Sequence, residues 1–159
     1  MKQKKSTFHP VEFLALVPIV SIGLLILLMR GGFAEGITLV GTLALVVCAV
    51  LWGVVGAIFS RAHMTFWRAT LEANLIPLLS ALAYTVLRVI AMFSDSQALV
   101  DSAELVGGLG MGVLTLFSSL LFSIIPLELY EVYLNLVFCL IVFGAGFAIG
   151  SARREKRIG

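Results

Sequence analysis

The chain has 159 residues, 60% of them hydrophobic and 13% charged, with a formal net charge of +2. Soluble domains carry about 45–50% apolar and about 25% charged residues, so a disordered tail, a coiled coil, a nucleic-acid-binding arm and an ordinary water-soluble enzyme are excluded. A mean hydropathy of +1.10 leaves an integral membrane protein, with the whole of 1–159 as a single polytopic domain.

Lys2, Lys4 and Lys5 form a basic tail, 1–8, ahead of the first apolar stretch. Basic blocks beside an apolar run hold that end on the cytoplasmic side. The expected location is therefore an inner membrane, with a cytoplasmic N-terminus. Such blocks also attract anionic lipid, by roughly 1 kcal/mol per basic residue near the surface. The stretch 13–29 is longer than the ~7–15 apolar residues of a signal peptide and no small-residue cleavage site follows Met29. An uncleaved span, kinked at Pro18, is expected.

A Gly-rich turn at 30–36 leads to an uncharged stretch, 37–59. The segment 60–74 differs, because Met64, Trp67 and Leu71 recur at helical spacing with Arg61, Arg68 and Glu72 elsewhere around the helix. That pattern predicts a short interfacial helix with Trp67 at headgroup depth. The third stretch, 75–93, has Pro77 near its start, where a kink is expected, and carries Arg88 as its single charge. An acidic connector, 94–104, precedes the Gly-rich fourth stretch, 105–125; a second, 126–132, precedes the fifth, 133–149. The basic tail 151–159 closes the chain with Arg153, Arg154, Lys156 and Arg157. Each stretch approaches the ~17–25 residues that a helix needs to cross about 30 Å of hydrocarbon. Backbone amides in lipid must be satisfied within their own segment. The expected fold is an all-α membrane bundle of five hydrophobic helices with a short interfacial helix.

Charge placement opposes five full crossings. With the N-terminus inside, two spans bring Arg61 and Arg68 back inside, but three more export Arg153–Arg157 against the positive-inside rule. Four spans plus one re-entrant element remove the conflict. The fourth stretch is the candidate, since re-entrant backbone is tolerated where it is buried or lines a cavity. Against that, its 21 uncharged residues suffice for a crossing, so both arrangements stay open.

Gly108, Gly112, Thr115, Ser119 and Ser123 recur at three- and four-residue spacing in the fourth stretch, giving a small, weakly polar face. The fifth stretch carries a matching stripe of Asn135, Cys139, Val142, Gly146 and Gly150. Close packing of these two faces is the simplest expectation, with Gly108, Gly112, Gly146 and Gly150 as packing residues. The sharper one is a hydroxyl-lined conduit along Thr115, Ser119 and Ser123. Arg88 follows Ser80 and Tyr84 on one helix face, and the row suits an anionic group; snorkelling or a structural ion pair is the plainer alternative. Glu128 and Glu131, near Asn135, form an acidic end that solvates a turn or attracts cations.

Cys48 and Cys139 lie far apart inside apolar runs and His9 and His63 are equally separated, so no metal site, disulfide or cofactor is expected. No nucleophile, base or metal motif is present, and no enzyme is expected. The expected partners are the lipid bilayer and either a second copy or another membrane subunit; nucleic acid is not among them. These readings favour a small membrane subunit of a transport or channel system, with a non-transporting scaffold, assembly or immunity factor as the alternative. They name no substrate.

Overall fold

The computed structural model describes residues 17, 20, 21, 23, 37–62, 64–118 and 130–158, and no strand occurs among them. Of the first apolar stretch, Val17, Val20, Ser21 and Gly23 are described and helical; Pro18, with its expected kink, lies outside the described residues.

Helix α1, Ile37–Phe59, coincides with the second stretch. Leu45, Cys48, Trp52, Val55 and Phe59, spaced by three and four residues, form its buried seam. Leu39, Leu43, Val46, Val47, Val50 and Val54 stay exposed. A whole helix face of exposed Leu and Val suits hydrocarbon better than water as its solvent.

The interfacial segment becomes α2, Phe66–Ala73. The Thr65 hydroxyl caps it by accepting from the Arg68 N–H at 3.4 Å. Ala69 and Ala73 are buried while Trp67 is 75% and Leu71 58% exposed, so the helix packs on the bundle through its alanines and not through the Trp67 and Leu71 face that the spacing picks out. Asn74 separates α2 from α3, Leu75–Ser94. Pro77 does not kink α3. It stands in the first turn, where its missing N–H is harmless, and its ring opposes the carbonyl four residues back, at Ala73, so it separates two helices instead.

Asp95 takes a left-handed conformation (φ 49°) at the end of α3, and α4, Gln97–Leu109, follows at once. The acidic connector is therefore mostly helical and not a loop. The fourth stretch does not continue as one straight span: α4 and the following segment, Gly112–Ser118, differ in direction by 117°. Gly112 makes the turn with φ 55°, a region costly for residues that carry a Cβ. A 3-10 turn, Gly112–Thr115, continues from it. The Val113 N–H donates to Ser21 Oγ at 3.0 Å, tying this turn to the first stretch.

Helix α5, Glu131–Ile158, starts two residues before the predicted 133 and runs on through the basic tail. No Gly or Pro lies between Ser151 and Ile158 to stop it. Its main partner is α1, with which it runs parallel: Gly53 meets Gly146, Gly56 meets Phe143 and Phe147, and Ala57 and Ser60 meet Gly150. A Cβ on Gly146 would overlap the Gly53 carbonyl oxygen, and one on Gly56 would overlap that of Phe143. The two backbones touch, which only small residues permit. Phe143 fills the seam beside them, 6.0 Å from Trp52 and 5.7 Å from Phe59 between ring centroids. The stripe through Gly146 and Gly150 thus packs on the second stretch rather than the fourth.

Helix α3 runs against α5. Phe66, which opens the preceding α2, meets Phe147, while Tyr84, midway along α3, meets Tyr133. The ends of the molecule consequently differ in charge. Arg61, Arg153 and Arg154 gather at one end, and Asp95, Asp101, Glu104 and Glu131 lie toward the other. Three described helices, α1, α3 and α5, are long and apolar enough to cross a membrane, and the bent pair raises the count to four if it forms one span. These helices are consistent with a membrane-embedded protein.

Candidate functional site

A cavity of about 480 Å³ lies where α3, α4, the Gly112–Ser118 segment and the start of α5 meet. α3 supplies Tyr84 and Arg88; α4 supplies Glu104 and Gly108. Thr115 and Ser118 come from the segment beyond the bend, and Glu131, Val132 and Asn135 from α5.

Each wall has a local cause. Tyr84 is buried and packs edge-on against Tyr133, with centroids 5.9 Å apart. The Tyr133 hydroxyl shares a 2.8 Å hydrogen bond with Thr85 Oγ1. Arg88, one turn beyond Tyr84, sets its guanidinium carbon 6.0 Å from that ring's centroid. Among the described residues no carboxylate reaches ion-pairing distance of it. Glu131 opens α5, where a carboxylate favours the positive end of the helix dipole.

Asn135 is 3% exposed and joins two elements. Its Oδ1 accepts from the Ser118 N–H at 3.0 Å, and its Nδ2 donates to Ser118 Oγ at 3.0 Å. Ser118 Oγ in turn donates to the Thr115 carbonyl at 2.9 Å, and Thr115 Oγ1 donates to the Gly112 carbonyl at 2.7 Å. A backbone that has left regular helix beyond the bend is thereby satisfied by a side chain from α5, as buried polar groups in lipid require. Phe117 stacks on Phe138 at 4.1 Å and 5° beside this junction.

The residues singled out by sequence divide clearly. Arg88, Tyr84, Thr115, Asn135, Glu131 and Gly108 share the cavity. Ser80 does not belong to that row: its hydroxyl donates to the Val106 carbonyl at 2.8 Å, beside Gly110 where α3 and α4 cross. Gly108 forms cavity wall, since an added Cβ would meet Thr115 Cγ2 at 4.0 Å and little else. The close approach falls one residue earlier, at Gly107, where a Cβ would lie 2.7 Å from Val132 Cγ2. Gly112 makes the turn, and Gly146 and Gly150 hold α5 on α1. Ser119, Ser123 and Glu128 lie outside the described residues.

Sequence reasoning missed Ser118 and took Glu104, with Asp95 and Asp101, as an ion-pair partner for Arg88. Thr115 and Ser118 are three residues apart, the spacing of the 3-10 turn that begins this segment, whereas α-helical spacing points to Ser119. Among the described residues no three His, Cys, Asp or Glu side chains gather as a metal site. Neither family models nor curated proteins nor solved structures give a match to the chain. Its function has to be read from this cavity and its place in the fold.

Proposed function

We propose that the chain is a small multi-pass subunit of a membrane transport or channel system, and that the cavity holds a small polar solute. One observation carries the reading: Tyr84, Arg88, Gly108, Thr115, Glu131 and Asn135, from four separate segments, converge on a single space inside an otherwise apolar molecule. Arg88 stands about one and a half turns from the end of α3, half-buried in the cavity wall, with no carboxylate at ion-pairing distance among the described residues. Its planar fork suits a carboxylate or phosphate-like group. Glu104 and Glu131 accept from donors, so the lining favours a solute carrying both an anionic group and an amine or hydroxyl.

The fourth element supports the same reading. α1 and α5 are parallel and α3 opposes them, so α4 and α5 begin at the same end of the molecule. The chain between them enters and leaves on one side, giving a re-entrant element that lines the cavity, as irregular backbone in lipid must. With the first stretch crossing as well, four spans place the Lys2–Lys5 tail, Arg61 and Arg153–Arg157 together. The positive-inside rule makes that side cytoplasmic, in an inner membrane. The exposed Leu and Val faces of α1 and α3 leave room for a second copy or a partner subunit.

Thr115→Cys tests the cavity. The introduced thiol is expected to react with a membrane-impermeant reagent from the acidic side. Arg88→Gln is expected to slow the anionic reagent several-fold against a cationic one of equal size. An unreactive thiol in a folded protein would mean a dry, packed junction and would favour the scaffold reading.

A further inference from the structure

The basic end carries a second pocket, about 170 Å³, lined by Arg61, Gly150, Arg153 and Arg154. It forms where α1 ends against α5, because Gly150 leaves room for Ser60 and Ala57; a Cβ there would lie 2.7 Å from the Ala57 carbonyl oxygen. Arg154 is fixed in part, its Nη1 donating to the Ser60 carbonyl at 3.0 Å. That bond satisfies a carbonyl left open beyond the C-terminus of α1 and sets a cation at the negative end of its dipole. Arg61 and Arg153 are exposed, and among the described residues neither has a carboxylate partner. Three guanidinium groups around one small space repel one another unless an anion lies between them.

A second surface adjoins the pocket at Arg153. Along α1 and α5 runs an open groove of about 490 Å³, lined by Val50, Val54, Ala57, Ile141, Ala145 and Ile149, with Arg153 at its end. Arg153 belongs to both spaces. From Ile141 to Ile149 the groove follows α5 for about 12 Å, most of one leaflet's half of the ~30 Å core. Exposed Trp67 and Phe66, the latter packed on Phe147, mark the interface one to two turns below the arginines. An apolar channel of leaflet depth ending in paired guanidiniums at headgroup level has the shape and charge of a single amphiphile. We infer that this face binds an anionic phospholipid, its phosphate held by Arg61 and Arg153 and one acyl chain lying in the α1–α5 groove.

The full chain, purified in detergent, is titrated by native mass spectrometry with phosphatidylglycerol, phosphatidylcholine and inorganic phosphate as separate probes. Phosphatidylglycerol is expected to be retained about tenfold better than phosphatidylcholine, and the Arg61→Gln/Arg153→Gln double variant to lose that preference. Arg154 is left in place because it caps α1. Ala145→Phe, an apolar change at an exposed groove position, is expected to weaken phosphatidylglycerol retention with all arginines intact. Should the double variant fail to fold, this variant decides: unchanged retention overturns the assignment. Equal retention of the two lipids, an unaltered preference in a folded double variant, or full displacement by inorganic phosphate would also overturn it, the last by showing a site for a free anion.

Discussion

Asn135 shows how one side chain holds an irregular element inside a membrane. It serves as both acceptor and donor for Ser118, so its loss takes the partner from a buried backbone N–H. Asn135→Leu is expected to destabilise the protein by about 1–3 kcal/mol, measured by denaturant unfolding of the detergent-solubilised chain. The exposed ion pair Arg68–Glu72, at 2.6 Å, is the opposite case. Its Arg68 side chain is 67% exposed, so breaking the pair costs about 0–1 kcal/mol. Arg88 resembles neither, being half-buried and without a carboxylate partner among the described residues, and for that reason it carries the functional reading. Spacing alone grouped it with Ser80, but the Val106 carbonyl captures that hydroxyl.

Among the helices, glycine position decides which elements touch. Gly146→Ala would press a methyl group into the Gly53 carbonyl, forcing α1 and α5 apart. Overpacking of this kind costs about 1–3 kcal/mol, against a gain in helix propensity of at most about 1 kcal/mol. Gly108→Ala meets nothing closer than 4.0 Å and is expected to be neutral or stabilising. Thermal unfolding of the two variants side by side checks this contrast, which identical chemistry at identical heptad-like spacing would not suggest. The same geometry explains the α1–α5 groove, because helices whose backbones touch leave a shallow, small-residue trough along their seam.

For the molecule as a whole, the segregation of charge between its ends makes a topological prediction. Cysteines introduced at Ser102 and Tyr130, both exposed and on either side of the bent element, are expected to react with an impermeant thiol reagent from one face. A cysteine at Ala152 is expected to react from the other. The native Cys48 and Cys139 are buried and stay silent. Labelling of positions 102 and 130 from opposite faces would make the bent element a crossing and would remove the re-entrant arrangement.

The solvent, the helices and the charged ends were legible in the amino-acid order, because hydropathy and charge are local properties summed over a stretch. α1 matches its expected bounds, 37–59, and α2 and α3 lie within a residue of their stretches or inside them. The end of the fourth stretch as a straight helix was written only as a surplus of glycine, since several glycines there permit a turn and just Gly112 takes one. Tertiary structure alone decided that Gly146 and Gly150 meet α1, that Ser118 and not Ser119 faces Asn135, and that Arg88, Glu104 and Glu131 share one cavity. Small-residue stripes are interchangeable in sequence, each able to receive any other. The choice among them falls to the mutual fit of whole helix surfaces, which no single segment contains.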